Sequence, residues 1–179
     1  SVGEERSFFS HAGVNRAIQS MLSSDAMLTA LCQARHVHFA LPLGLELARN
    51  LLPALPKGGC TTSLDVGFHP EWLQDLASLE ICRGVDYFFP NEREAALLSG
   101  GDGLNYLIFA RENGVKYPVV KRGEAGAAME ENGTRYTSPS PSVSVIDTTG
   151  AGDVFDAGFI DAHLDALPPE ARLRRACVC

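Results

Sequence analysis

Residues 147–159 have the sequence Asp-Thr-Thr-Gly-Ala-Gly-Asp-Val-Phe-Asp-Ala-Gly-Phe, a glycine-rich turn followed by an apolar segment that predicts a helix. Glycine lets the backbone adopt a positive φ and approach a ligand without a clash at Cβ. The free N–H groups of the first helical turn then point at that ligand, and the helix dipole favours an anion. The stretch therefore predicts an anion-binding turn at the start of a helix.

Asp153 lies within this turn, where its carboxylate would repel a phosphate group. An acid beside an anion site is useful if it removes a proton from a hydroxyl group that attacks phosphorus. The alternative is a capped helix after a glycine turn, in which Asp153 is a favourable charge in the first turn. The turn alone leaves both interpretations open.

The rest of the sequence alternates between strand and helix patterns. Strands are predicted at 7–11, 36–41, 61–66, 85–89, 117–121 and 143–146, with a hairpin of 127–129 and 134–137 around the Asn132-Gly133 turn. Helices are predicted at 15–31 (with a break near 23–25), 43–52, 70–82, 90–98 and 103–113, and after Gly150. Alternating elements with short connections are typical of an α/β fold in which helices cover a mostly parallel sheet.

Polar residues and glycines recur at the carboxyl ends of these predicted strands. In parallel sheets, ligands bind beyond the carboxyl ends of the strands. The polar residues and glycines at or just beyond the predicted ends are Asp65, Asn91, Glu94, Lys121, Gly123 and the loop 147–153. Their shared position predicts a single ligand site at that edge of the sheet.

Composition excludes several classes of protein. The chain has 179 residues, 45% of them hydrophobic, which suffices for the core of one domain. Fifteen basic and 22 acidic residues give a net charge of −7, which argues against a general nucleic-acid or membrane-surface binder. No apolar run could span a bilayer, and no signal-peptide pattern opens the chain. Five cysteines without a Cys-x-x-Cys spacing favour reduced thiols, so we expect a cytoplasmic protein.

Residues 147–159 resemble the C-terminal signature of the ribokinase-like, pfkB-type carbohydrate kinases. Two further stretches resemble motifs of this family in the same order along the chain. Residues 85–94, with Asn91 and Glu94, resemble the strand that leads into the Asn-x-x-Glu motif. Residues 119–126 resemble the nucleotide-binding strand and its glycine turn.

The resemblance implies a ribokinase-like α/β fold, which is a three-layer α/β/α arrangement with a mostly parallel sheet flanked by helices, here incomplete. Residues 1–179 would be the central and C-terminal part of one kinase domain, with residues 1–14 as a remnant of the region next to the lid. The chain begins at Ser1 and ends at Cys179 inside a helical pattern, so we expect a piece of a longer protein. The resemblance implies that most sugar contacts of the family lie in a part outside these residues, so the sequence does not name the sugar.

The activity implied by the resemblance is ATP-dependent phosphoryl transfer to a hydroxyl of a small sugar or sugar derivative. Asp153 would be the general base, and Gly150, Ala151 and Gly152 would form the anion hole, a set of backbone N–H groups that bind the transferring phosphoryl group. The nucleotide would contact Asn91, Lys121, Gly123, Gly126 and Gly152. Two alternatives stay open, namely a catalytically silent nucleotide-binding chain (a pseudokinase) and a nucleoside kinase of the same superfamily. The full-length protein is also a candidate homodimer.

The resemblance also implies two cation sites. Asn91 and Glu94 would hold Mg²⁺ through water, because Mg²⁺ keeps much of its hydration. The alternative for this pair is a capping box, in which Asn91 caps a helix and Glu94 bonds back to it. Asp147 and Thr149 occupy positions that bind a monovalent cation, usually K⁺, in several relatives, although Asp147 could instead cap the turn.

Three other residues could carry chemistry. His36 and His38 share one face of a predicted strand, which would suit a metal, but no third ligand is near in sequence and a structural pair is favoured. Asp65 ends a strand near the expected phosphate site, where it could support the groups that contact phosphate.

Overall fold

The computed structural model describes residues 13, 17–101 and 103–179. The predicted strand at 7–11 and nearly all of the predicted lid remnant at 1–14 lie outside the described residues. The strands are β1 His36–Phe39, β2 Thr61–Leu64, β3 Tyr87–Phe88, β4 Tyr117–Lys121, β5 Ala127–Glu131 and β6 Thr134–Ser138. The helices are α1 Ile18–Leu22, α2 Asp25–Leu31, α3 Leu45–Leu51, α4 Pro70–Leu73, α5 Leu76–Gly84, α6 Glu92–Ser99, α7 Gly103–Glu112, α8 Ala151–Leu164 and α9 Pro169–Val178.

The six strands form one sheet in the order β1-β2-β3-β4-β5-β6. Strands β1 to β4 are parallel neighbours, and the hairpin of β5 and β6 continues the sheet in antiparallel fashion. The carboxyl ends of β1 to β4 therefore meet at one edge, as the sequence pattern predicts.

Successive strand residues point to opposite faces of the sheet, and each face has its own apolar core. Phe88 and Val120 belong to a core formed with α3, α5 and α7. Tyr87, Phe89 and Val119 belong to a second core formed with α8 and α9. Helices thus cover both faces, which confirms the predicted three-layer α/β/α arrangement.

Aromatic packing holds α8 against the sheet. Phe159 lies 5.1 Å from both Tyr87 and Phe89, measured between ring centroids, with edge-to-face geometry. Phe155 contacts Phe89 in the same manner one turn earlier. Because such pairs add to the free energy of burial, they fix the start of α8 beside the ends of β3 and β4.

Two predicted elements differ in the structure. The helix predicted at 70–82 is split into α4 and α5, because Asp75 interrupts it and accepts a hydrogen bond from the N–H of Ala77 as a new N-cap. The strand predicted at 143–146 is wrong, since these residues pair with no strand among those described and Ile146 is 96% exposed. An apolar run predicts a strand only where a neighbour supplies the hydrogen bonds.

Candidate active site

A cavity of about 670 Å³ opens at the carboxyl ends of the parallel strands. Its wall includes every residue that the sequence assigned to catalysis, nucleotide or cation: Asn91, Glu94, Lys121, Gly123, Gly126, Asp147, Thr149, Gly150, Ala151, Gly152 and Asp153. Asp65, placed near the phosphate site by its strand position, lines the same cavity. The structure therefore brings together residues that are up to 88 positions apart in the sequence, from Asp65 to Asp153.

The glycine turn forms the start of α8. Gly150 has φ of 78°, a left-handed conformation that favours glycine, and α8 begins at the next residue. Asp147 Oδ1 accepts hydrogen bonds of 2.9 Å from both the N–H and the hydroxyl of Thr149. The turn-capping alternative for Asp147 is thus present. Asp153 is exposed in the first turn of α8, where N–H groups lack partners within the helix.

Asn91 and Glu94 form the capping box that the sequence left as an alternative. Glu94 Oε2 accepts the backbone N–H of Asn91 at 2.8 Å, and Oε1 accepts its side-chain amide at 2.7 Å. Asn91 Oδ1 in turn accepts the N–H groups of Arg93 and Glu94. Glu94 is only 3% exposed, and this burial raises the pKa of its carboxyl. Each carboxylate oxygen still has a second lone pair.

Lys121 ends β4 and lies between two carboxyl groups. Its Nζ is 2.5 Å from Asp65 Oδ2 and 3.2 Å from Asp156 Oδ1. A Cβ placed on Gly152 would be 3.3 Å from the same Nζ, so the ammonium group lies directly against the glycine turn. The sequence analysis predicted that Lys121 contacts the nucleotide, but it did not predict that two carboxyl groups surround the ammonium group.

Asp156 is a member of the site that sequence reasoning missed. It lies one turn after Asp153 on α8, within an apolar helix face, and its side chain is 2% exposed. The signal in the sequence that could have identified Asp156 was a single acidic residue on an otherwise apolar helix face. Burial raises the pKa of Asp156 far above its usual range and so favours the neutral form of this carboxyl. Burial opposes ionisation of Asp65 as well, but the Lys121 ammonium group lowers the pKa of Asp65 overall.

The histidine pair is part of a polar chain along the sheet. Ser63 Oγ lies 2.8 Å from a ring nitrogen of both His36 and His38. Burial lowers the pKa of His36 to about 4, so the ring is neutral at pH 7. Among the residues that the structure describes, no group of three histidine, cysteine or acidic side chains is placed to hold a metal. Hydrogen bonds to Thr61 and Ser63 hold both rings against the neighbouring strand, as expected of a structural pair.

Comparison with known families agrees with this geometry. The family described as pfkB family carbohydrate kinase matches residues 2–179 of the chain. The chain belongs to this family. Within the described part of this pfkB chain, no helix is long and apolar enough to cross a membrane.

Individual relatives of the pfkB chain include kinases for different substrates. Ribokinase from Arabidopsis thaliana is 32% identical over 131 residues, which cover 69% of this chain and 34% of the relative. Cytidine kinase from Thermococcus kodakarensis is 28% identical over 137 residues, covering 74% of this chain and 49% of the relative. The chain thus spans between a third and a half of the length of these relatives.

A solved structure of Arabidopsis thaliana ribokinase, complexed with ribose and ATP, has the same fold as the pfkB chain. The two superpose with a TM-score of 0.75 at 28% identity, over 86% of this chain and 51% of the ribokinase chain. The ribokinase-like architecture expected from the sequence is therefore confirmed.

Proposed function

We propose that this chain transfers the γ-phosphoryl group of ATP to a hydroxyl of a small sugar or sugar derivative, as the central and C-terminal part of one kinase domain. One observation carries the proposal: a glycine turn, an acid in the first turn of the following helix and a buried cation meet in one cavity. The match to a carbohydrate kinase family and the ribose and ATP held by the ribokinase structure support it.

In this proposal, Asp153 accepts the proton of the attacking sugar hydroxyl as the new oxygen–phosphorus bond forms. The bond from the γ-phosphorus to the oxygen that bridges it to the β-phosphate breaks, and ADP leaves with that electron pair. The backbone N–H groups of Gly150 and Gly152 bind the equatorial oxygens of the transferring group, joined by that of Ala151, which donates to the carbonyl oxygen of Thr148 in this structure. Phosphoryl transfer depends mainly on positioning and charge neutralisation, so the anion hole together with Mg²⁺ suffices.

The residues present fit a hydrated Mg²⁺ better than a directly bound one. Asn91 Oδ1 already accepts two N–H groups, so it has no free lone pair for a metal. The Glu94 carboxylate keeps one lone pair on each oxygen and faces the cavity. We therefore propose that Glu94 holds Mg²⁺ through water, with Asn91 fixing the carboxylate. Bound Mg²⁺ would neutralise phosphate charge.

Replacing Glu94 with glutamine is expected to raise the Mg²⁺ concentration needed for half-maximal rate by about tenfold, because the amide lacks the charge that holds a hydrated cation. Glutamine also serves in capping boxes, so folding is retained. The measurement is a Mg²⁺ titration of turnover, with circular dichroism to check the fold. Glu92→Gln, on the same helix turn, is the control. An unchanged Mg²⁺ dependence would leave Glu94 with the capping role alone.

The assignment of Asp147 and Thr149 to a monovalent cation, with K⁺ as the expected ion, also stays a proposal. The hydrogen bonds between these residues organise the turn, and the carboxylate charge suits a cation. Comparing turnover in potassium and sodium salts tests it.

We also place the protein in the cytoplasm, on account of its cysteine pattern. We further propose that the complete protein is a homodimer, which light scattering tests.

The activity itself is tested by measuring ADP release from the complete protein with a panel of pentoses, hexoses and nucleosides. Sugar-stimulated ADP release, with the phosphorylated sugar identified by ³¹P NMR, is the expected result. Stimulation by nucleosides alone would favour the nucleoside kinase alternative. The similarity to a cytidine kinase is the reason for testing nucleosides. ATP binding without turnover on any acceptor would favour the silent alternative.

A further inference from the structure

The cavity is acidic except at one point. Among the described residues of its wall, four are acids: Asp65, Glu94, Asp147 and Asp153. Lys121 is the one lysine or arginine among them. A nucleotide brings several more negative charges into the same space. Binding of its phosphate groups therefore depends strongly on where this single ammonium group is held.

Two carboxyl groups determine that place. Asp65 follows β2 and Asp156 projects from α8, so Lys121 is held from two different elements at 2.5 Å and 3.2 Å. Asp156 draws the ammonium group toward α8, against Gly152. Asp65 alone would keep the ammonium group on the β2 side of the cavity.

The charge state of the cluster favours this arrangement. Burial raises the pKa of Asp156 and so favours its neutral form, whereas the Lys121 ammonium group lowers the pKa of Asp65 and favours its charged form. Asp156 can thus orient the ammonium group through a carboxyl oxygen without neutralising it. Burial also lowers the pKa of His38, whose Nε2 lies 3.8 Å from Asp156, and so favours the neutral form of its ring.

We propose that Asp156 is a positioning residue that holds the Lys121 ammonium group against the glycine turn, where it contacts the β- and γ-phosphate groups of the nucleotide. This inference rests on the proposed function and adds to it a residue outside the anion hole and the base. Asp156 touches neither ATP nor the sugar; it acts through Lys121.

The test compares binding of ATP with binding of AMP, because AMP lacks the β- and γ-phosphate groups. Titration calorimetry on the complete protein is expected to show that Asp156→Ala lowers ATP affinity by about tenfold, equivalent to about 1.4 kcal/mol, and leaves AMP affinity within twofold. Lys121→Met is expected to lower ATP affinity by at least as much. Asp156→Asn is expected to restore most of the loss, since its amide oxygen can accept a hydrogen bond from Lys121 as the carboxyl oxygen does.

Asp156→Ala should fold, since it leaves the Lys121–Asp65 pair electrically balanced, and thermal unfolding checks this. Asp161→Ala removes an exposed acid from the same helix and is the matched control. Equal losses for ATP and AMP, or an unchanged ATP affinity in Asp156→Ala, would overturn the positioning role while the parent still turns over. A parent protein that binds no ATP would overturn this inference and the proposed function together.

Discussion

Asp153→Asn is expected to lower kcat of the complete protein by about 10²–10⁴-fold while ATP affinity stays within a few-fold of the parent. Asparagine has nearly the shape of aspartate but cannot accept the proton of the sugar hydroxyl. The first-turn N–H groups that bind phosphate are backbone groups and are unaffected by the substitution. Loss of turnover with retained binding is therefore the signature of a general base.

The competing interpretation predicts a different result. If Asp153 only stabilises the start of α8, its replacement costs about 0.3–1 kcal/mol of stability and leaves kcat unchanged. Single-turnover rates and Tm, measured on the same samples, separate the two. Asp161→Asn makes the same chemical change on the same helix, at an exposed ion pair with Arg175, and should keep kcat near that of the parent. If Asp153→Asn turned over at the parent rate, the assignment of Asp153 as the general base would be wrong.

Much of the candidate site could be predicted because the topology of a parallel sheet brings distant residues to one edge. Lys121 and the turn at Gly150 are far apart in sequence, yet Lys121 ends β4 and Gly150 immediately precedes α8, and both residues line the cavity. Strand and helix periodicity is sufficient to place such residues. Capping is equally local, and the hydrogen bonds between Asn91 and Glu94 are those of a capping box.

The features that escaped prediction depend on contacts between distant elements. In the sequence, Asp156 is one polar residue on an apolar helix. Only the folded structure shows that the Lys121 ammonium group lies 3.2 Å from its carboxyl group. The apolar run at 143–146 has the residues of a strand, but strand formation requires a partner, and no described residue pairs with it. Local sequence carries propensity, whereas pairing and burial belong to the assembled chain.

Gly126→Ala is expected to destabilise the chain by about 3 kcal/mol or more, and so to lower Tm by about 6–12 °C for a protein of this size. Gly126 links the 3₁₀ turn after β4 to β5 and has φ of 80° and ψ of −127°, a region that is essentially restricted to glycine. A Cβ at this position would lie 1.9 Å from the carbonyl oxygen of Ser138 and 2.7 Å from the carbonyl carbon of Pro139. Those atoms are backbone, so no rotamer change relieves the clash.

Gly133→Ala shows how much of this loss a positive φ alone accounts for. Gly133 has φ of 77° in the turn between β5 and β6, and a Cβ there would meet nothing within 4 Å. Gly133→Ala is expected to lower the free energy of unfolding only by the strain of a left-handed residue, about 1–2 kcal/mol. Thermal unfolding of both variants should therefore show the larger drop for Gly126→Ala. If the two drops were equal, backbone conformation alone would account for the glycine. A larger drop would mean that Gly126 is required by its ψ of −127° together with the close approach of the chain after β6, whether or not a nucleotide also contacts it.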